Sequence, residues 1–380
     1  MRKVVLAVFF GCIGVTAVAV ADLEERVSQL EAAADLEAQT SRLSLGGYGE
    51  FHATRKGGNS YGDYHRVVMY AGYQFNDWIR LNSEIELEHS KAGDKEKGQG
   101  YVLLEQFNVD LQVADTTAIR LGRSLAPLGI VGPRHEPPLF FGVERPNLEK
   151  YILPSTWSID GVGLVGDLSE NISYEIYAVG GLDGSAFNET EGIRGGREAE
   201  YAGLEKPSIT GRIDSYAIEN LRIGGAFYQG STGFGIKGAD NGDPDNEIQI
   251  LSVDFEYEIG PLSINGVWVT GEHDGTATLM SASKSPSYDG VALPETDFGG
   301  HYVTVGYEVW RNGEKAIIPF IRLSEYDTNE ASASNDSESE ETTIGLHIPL
   351  SDQFVIKVDQ VKEDISGDEI FSVGFGMMFQ

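Results

Sequence analysis

Cysteine, basic residues and long apolar runs are all scarce in this chain of 380 residues. The single cysteine, Cys12, lies in an N-terminal apolar stretch, so a chain that loses this stretch contains no disulfide. Residues 4–21 form the only apolar run near the length of a membrane-spanning helix, which excludes a helical membrane bundle. The 59 Asp and Glu outnumber the 28 Lys and Arg, and the net charge of -31 disfavours binding to nucleic acid.

The first residues have the features of a secretory signal. Arg2 and Lys3 precede an apolar core, and small residues end that core at Ala19 and Ala21. We therefore expect residues 1–21 to be a signal peptide that is cleaved before Asp22. An uncleaved anchor in the inner membrane is the alternative.

Residues 22–43 differ in pattern from everything that follows. Leu23, Val27, Leu30 and Ala34 are spaced alternately by four and three positions among Glu, Gln, Arg and Ala. This spacing predicts a short periplasmic helix of coiled-coil type. Because about three heptads are marginal alone, the coil would need a barrel that already forms a trimer. A lone helix or a flexible tether remains the alternative.

Residues 44–380 divide into about sixteen segments in which apolar and polar residues alternate, and the connections are tight and long by turns. This asymmetry is typical of an up-and-down barrel in an outer membrane, with short periplasmic turns and longer external loops. The mean hydropathy of -0.21 fits such a barrel, since its lumen side chains are polar. Fourteen or eighteen strands are open alternatives. The tight turns are predicted at 76–77, 115–116, 169–170, 219–220, 260–261, 312–313 and 351–352.

The predicted fold is therefore an all-β transmembrane antiparallel barrel with a short N-terminal coiled-coil helix. The even strand number puts both barrel ends on the periplasmic side. Aromatic rings next to the tight turns, such as Phe75, Trp78 and Trp310, predict an interfacial girdle. The last segment alternates from Phe371 to Phe379, as expected of a C-terminal barrel strand.

Strand alternation also predicts which charged side chains face the lumen. In the third segment, Ile79, Leu81 and Ile85 fall on one face and the charged residues fall on the other. The lumen-facing candidates are Arg80, Glu84, Glu86, Glu88, Asp110, Arg120, Arg212, Asp214, Arg222 and Arg322. Their mixed sign leaves two interpretations, an anion path or charge pairs that brace the wall.

The longest connection, residues 126–159, combines five prolines within twenty residues with many aromatic and aliphatic side chains. The prolines exclude a helix and a central strand. The apolar side chains disfavour a solvated loop, so this connection should pack against the inner wall of the barrel. It is the third connection on the external side, and a structureless insertion of this length is usually functional.

The run HEPPLFFGVERPNLEKYILPSTW, together with GGYGEFH and the coiled-coil stretch, resembles outer-membrane porins of the phosphate-selective porin O and P type. The resemblance covers most of the chain after residue 21. It implies a trimer of sixteen-stranded barrels in which the third external loop folds inward and narrows a pore lined by Arg and Lys. The candidates for the constriction are Arg134, His135, Glu136, Glu144, Arg145, Glu149 and Lys150.

These features predict an outer-membrane porin for passive diffusion of small hydrophilic solutes or ions, with a preference for anions or phosphate. The alternatives are a cation-preferring porin and a structural barrel that acts as a sheath or tether. No catalytic, metal or cofactor motif is apparent, because His135-Glu136 lacks a second histidine and the other histidines are scattered. The expected partners are outer-membrane lipid and lipopolysaccharide. The acidic segments 239–247 and 327–341 are interpreted as solvated loops, and the alternatives are bridging to lipopolysaccharide through divalent cations or enrichment of cations at the mouth.

Overall fold

The computed structural model describes Arg26 and residues 42–89, 100–184, 187, 191–198, 203–232, 247–274, 296–330 and 337–379. The predicted signal peptide and almost all of the predicted helix over 22–43 lie outside these residues. Leu43, at the end of that segment, already belongs to the first strand. Within the described residues, no helix is long and apolar enough to cross a membrane.

Seventeen strands form one antiparallel sheet. They are β1 (Leu43–Lys56), β2 (Asn59–Asn76), β3 (Ile79–Glu88), β4 (Val102–Ala114), β5 (Thr117–Leu125), β6 (Ser158–Ser169), β7 (Ile172–Gly181), β8 (Gly203–Ile218), β9 (Leu221–Ser231), β10 (Glu247–Ile259), β11 (Leu262–His273), β12 (Thr296–Tyr307), β13 (Trp310–Asn312), β14 (Lys315–Asp327), β15 (Glu338–Ser351), β16 (Phe354–Glu363) and β17 (Glu369–Phe379). The short β13 continues β12 after two residues, and both pair with β14. The barrel wall therefore has sixteen strands, as predicted.

The barrel is closed by its terminal strands. β1 pairs with β2 on one side and with β17 on the other, from Gly47 opposite Phe379 to Lys56 opposite Ile370. Every strand thus has two neighbours, and closure removes the exposed edge that would otherwise pair with another chain. The predicted up-and-down order of an antiparallel barrel is confirmed.

The seven predicted tight turns join strand pairs at one end of the barrel. Gly260 and Gly313 take positive φ angles of 57° and 63° in two of them, a conformation that favours glycine. At the opposite end most connections are longer. Two are short: Gly57 and Gly58 join β1 to β2, and residues 364–368 join β16 to β17.

The two faces of the wall differ in polarity. On β10, Leu251 and Val253 point outward and are about half exposed, whereas Ser252 and Asp254 point inward and are fully buried. An apolar outer band of this kind is what a lipid environment requires of a barrel. Several rings near the tight turns are also exposed on the outside, among them Phe75, Trp78, Trp310 and Phe379.

The hydrophobic core lies inside the barrel. It joins Leu128, Leu148 and Ile152 of the connection after β5 to wall residues such as Tyr228 and Tyr302. A barrel of this size is too wide for wall side chains alone to fill it. The connection after β5 supplies the missing apolar surface.

Candidate functional site

The connection between β5 and β6 spans residues 126–157 and is called loop three below. It is two residues shorter than predicted, because β6 already begins at Ser158. It contains a 3-10 turn, Pro137–Leu139, and one short helix, α1 (Asn147–Tyr151). The expectation of no helix was wrong at α1. Pro146 occupies its N-cap, where the missing N–H of proline costs no hydrogen bond.

Aromatic side chains pack loop three against the interior of the wall. Phe141 stacks on Phe320 of β14 with ring centroids 5.3 Å apart. The ammonium group of Lys357 lies 3.6 Å from the ring centroid of Phe140. At the end of the loop, the centroids of Trp157 and Tyr228 are 4.6 Å apart.

Arginines of the wall donate to the backbone of loop three. Arg212 donates to the Gly129 carbonyl at 2.9 Å. Arg66 donates to the His135 carbonyl at 3.0 Å, and Arg322 donates to the Phe141 carbonyl at 2.7 Å. An irregular buried backbone leaves carbonyls without partners. These three arginines from different parts of the wall satisfy them.

Carboxylates accept hydrogen bonds from the same loop. Asp359 of β16 accepts from the Val143 amide at 2.5 Å, and Glu341 of β15 accepts from the Asn147 side chain at 2.5 Å. Glu149 of α1 accepts from the Tyr302 hydroxyl and from the Val131 amide, both at 2.6 Å. Loop three is therefore bonded to strands all around the wall.

Most of the predicted lumen arginines are paired with acidic residues. Arg212 lies 2.7 Å from Asp214 and 2.8 Å from Asp254. Arg222 contacts the same two aspartates and also Glu256 at 2.6 Å. Two further pairs are Arg120 with Asp110 at 2.7 Å and Arg66 with Glu50 at 2.5 Å. Their charge is balanced locally and is not freely presented to a passing ion.

Arg80 behaves differently. It is exposed and makes no ion pair with any described residue. It lines two adjoining cavities of about 350 and 420 Å³ between loop three and the tight turns. Asn82 and Glu84 line the first cavity, and Asp110 and Gln112 line the second. This part of the lumen is polar and accessible to solvent.

A second group of cations lies on the side of loop three away from the tight turns. Arg194, from the connection after β7, donates to the Lys150 carbonyl at 2.8 Å. Burial lowers the pKa of Arg194 to about 9, and the nearby charges of Arg197 and Arg145 add to this effect. Three guanidinium groups thus repel one another at the place where the two connections meet.

The predicted constriction residues divide by accessibility. His135 and Glu149 are buried, with 2% and 0% of their surface exposed, and so hold the loop in place. Arg134, Glu136, Arg145 and Lys150 are partly exposed, and the Glu144 side chain is 48% exposed. Arg134 pairs with Glu256, Glu136 accepts from the Tyr70 hydroxyl, and Glu144 contacts His52 at 2.9 Å. Among the strand candidates, Glu84 and Glu86 are buried and Glu88 is partly buried.

A histidine cluster was missed by the sequence reasoning. His52 stacks on His65 with centroids 4.7 Å apart, and His65 meets His89 edge to face at 5.6 Å. Asp63 contacts His65 at 3.3 Å and His89 at 2.8 Å. These residues come from β1, β2 and the end of β3, so only the register of the barrel brings the scattered histidines together.

Three groups in the described residues have side chains spaced to hold a metal ion. Two share His65, one with Asp63 and His89 and the other with His52 and Glu144. The third group is buried and consists of Glu84, Glu105 and His135. Glu105 was not among the predicted site residues.

No family model matches the chain. An uncharacterised protein of Aquifex aeolicus (strain VF5) is 29% identical over 332 residues, which cover 83% of this chain and 74% of that protein. Among solved structures, Salmonella typhi OmpF in complex with daunomycin superposes with a TM-score of 0.59 at 13% identity, covering 89% of this chain and 97% of OmpF. The outer membrane channel DcaP of Acinetobacter baumannii gives 0.56 at 11% identity, with 89% and 97% covered. The anion-selective porin from Comamonas acidovorans gives 0.55 at 12% identity, with 89% and 99% covered.

The chain has a porin fold. The finer resemblance to the phosphate-selective O and P type has no counterpart in these comparisons. At such identities the similarity shows the barrel fold alone. What could pass through this barrel has to be inferred from the contacts of loop three in this chain.

Replacing Gly376 with alanine should disturb the packing of loop three against the barrel wall. A Cβ at Gly376 would lie 2.2 Å from the Cβ of Pro137, so the loop or β17 must shift. Overpacking of this kind costs about 1–3 kcal/mol. The temperature at which the folded band disappears in unboiled gel electrophoresis should fall. Gly225→Ala is the matched control, since its Cβ meets nothing within 4 Å and its transition should not move. An equal response of both variants would contradict this packing.

Glu149→Gln should remove a pH-dependent part of the stability. Burial raises the pKa of Glu149 to about 7, against the opposing effect of the hydrogen bonds from Tyr302 and Val131. Because the folded-state pKa lies above the ordinary value of 4.5, the contribution is complete below about pH 4.5 and is lost as the pH rises through 7. The melting temperature of the wild type should therefore fall over this range, and that of Glu149→Gln should fall less. The exposed Glu330→Gln should follow the wild type, and an unchanged slope in Glu149→Gln would refute the assignment.

Proposed function

We propose that this protein is an outer-membrane channel for passive diffusion of small hydrophilic solutes. One observation carries the proposal, namely that loop three is bonded across the interior of a closed sixteen-strand barrel while polar cavities remain beside it. Solutes would move down their gradients, and the docked loop would set the size limit. The porin fold supports this role, and no catalytic step is proposed.

The cations at loop three would determine whether the channel prefers anions or cations. Apart from Arg80, the lumen arginines Arg66, Arg120, Arg212, Arg222 and Arg322 are occupied by carboxylates or by loop carbonyls, so they do not form a continuous ladder for anions. Arg145, Lys150 and Arg194 instead concentrate positive charge on the external side of the loop. We therefore propose a modest preference for anions rather than a specific phosphate site.

A cation preference is the competing proposal and rests on the net charge of -31. The acidic segments 239–247 and 327–341 would enrich cations at the external mouth or bridge to lipopolysaccharide through divalent ions. Salt at 0.15 M screens charge beyond about 8 Å. Charges at the constriction should therefore outweigh distant acidic loops at that ionic strength.

The channel proposal is tested by the current through purified protein in planar bilayers. Discrete conductance steps are expected. A barrel that served only as a sheath or tether would give no ion current, and that result would refute a diffusion channel.

Arg145→Gln should lower the ratio of anion to cation permeability. One unit charge at about 4 Å is worth about 1 kcal/mol in water, which corresponds to at most about fivefold in this ratio. Reversal potentials in a salt gradient measure the effect. Arg311→Gln is the matched control, because Arg311 is exposed next to a tight turn and pairs with Glu308. An unchanged reversal potential for Arg145→Gln would remove loop three as the charge filter.

We also propose a homotrimer whose N-terminal segment and C terminus lie in the periplasm. Solved structures of the same fold include the outer membrane protein OmpT of Vibrio cholerae in a trimer form. The mass of the detergent-solubilised full-length chain should be that of three copies. Deleting residues 22–43 tests the coiled coil: a mass that falls toward one copy supports it, and an unchanged mass shows that the barrel trimerises alone.

A further inference from the structure

A buried carboxylate and histidine cluster lies where loop three meets the wall. Glu84 belongs to β3, Glu105 to β4 and His135 to loop three, and each has at most 2% of its surface exposed. The Nε2 atom of His135 lies 3.4 Å from Glu84 Oε1 and 3.6 Å from Glu105 Oε2. Both separations are too long for good hydrogen bonds.

Four polar atoms of this cluster have no hydrogen-bond partner among the described residues. Glu84 Oε1, both oxygens of Glu105 and His135 Nε2 are buried and unsatisfied, as is Oε1 of the neighbouring Glu86. Buried polar atoms in folded proteins are nearly always bonded, and a cluster of exceptions calls for a ligand or a cost in stability. The unsatisfied atoms of Glu84, Glu105 and His135 include three that lie within 4.8 Å of one another, which indicates a common partner.

The spacing of these atoms fits a metal ion. Tetrahedral ligands with bonds of about 2.1 Å lie about 3.4 Å from one another. The two measured separations agree with this value, and all three ligand atoms lie within 4.8 Å of one another. A nitrogen together with carboxylate oxygens in a closed site favours a first-row transition ion over Mg²⁺ or Ca²⁺, which require more oxygen ligands.

Neighbouring groups hold the ligands in a suitable orientation. His135 Nδ1 lies 3.2 Å from the Gly132 carbonyl, so it donates there and leaves Nε2 directed at the carboxylates, where it binds a metal ion once it carries no proton. Gln106 donates to Glu84 Oε2 at 2.6 Å and leaves Oε1 directed at the cluster. Metal-binding histidines and carboxylates commonly have such outer partners.

A β-bulge places Glu105 in the cluster. Glu84 pairs with Gln106 and Ile85 pairs with Leu104, so Glu105 is an extra residue on β4. Leu104 and Phe107 both point outward, and Glu105 is turned inward between them. Bulges re-aim single side chains in this way.

We propose that Glu84, Glu105 and His135 bind one divalent first-row transition ion, with Zn²⁺ as the representative, and that this ion fastens loop three to β3 and β4. Glu86 lies next to the site and adds negative charge. Arg66 partly offsets that charge, since its Nη1 lies 3.9 Å from Glu86 Oε1. This site is separate from the Asp63, His65 and His89 group, which is partly exposed.

The test is zinc binding to the full-length protein in detergent after removal of metal with EDTA. Titration and elemental analysis should give about one ion for this site and a second event if the exposed histidine group also binds. Glu105→Gln should weaken the buried event by at least about tenfold. Glu175→Gln is the matched control, since Glu175 is a carboxylate of β7 that already accepts a hydrogen bond from the Tyr177 hydroxyl, and it should bind zinc as the wild type does.

His89→Gln separates the two histidine sites. It should remove only binding at the exposed group and leave the buried event intact. The proposal is overturned if the wild type takes up no zinc, if Glu105→Gln binds normally, or if His89→Gln abolishes all uptake. Co²⁺ gives an independent readout: the wild type should show visible absorption bands of low-symmetry coordination that His135→Gln lacks. If a variant does not fold, the stoichiometry and Co²⁺ spectrum of the wild type decide.

Discussion

The structure depends on hydrogen bonding to the irregular backbone of loop three. A segment rich in proline cannot form the regular backbone hydrogen bonds of a helix or a strand. Its buried carbonyls inside the barrel are also shielded from water, so they need partners from the protein. Arg66, Arg212 and Arg322 reach these carbonyls from strands that lie far apart around the wall. Loop three is therefore held by this closed barrel, and it forms the apolar core together with wall residues and with Leu182, Phe187 and Ile193 of the connection after β7.

This constraint limits what the wall can do to a passing solute. An arginine that donates to a loop carbonyl or pairs with two aspartates is not available to bind a moving anion. Arg212 does both. In the proposed channel, charge selection would arise where cations stay accessible, at Arg80 and at Arg145 and Lys150 of loop three.

Most of the wall could be predicted from the sequence because a barrel strand repeats every two residues and its turns are local. The turns at Gly260 and Gly313 require positive φ, which glycine signals directly. Glu105 could not be predicted, because its bulge reverses the alternation that was used to assign faces. The cluster of His52, His65 and His89 could not be predicted either. The three histidines are brought together by the register of the strands, and their spacing along the chain does not indicate this.

The distribution of charge around loop three completes the physical account. Near β8 to β10, Arg212 and Arg222 balance Asp214, Asp254 and Glu256, with Arg134 of the loop as a third cation. On the other side of the barrel, four buried carboxylates, at positions 50, 84, 86 and 105, lie near Arg66 and the histidines at positions 52 and 135, and Arg145 is a further cation nearby. Burying unbalanced carboxylates is costly. In a chain with 28 basic residues against 59 acidic ones, a bound divalent ion would add positive charge to this acidic cluster.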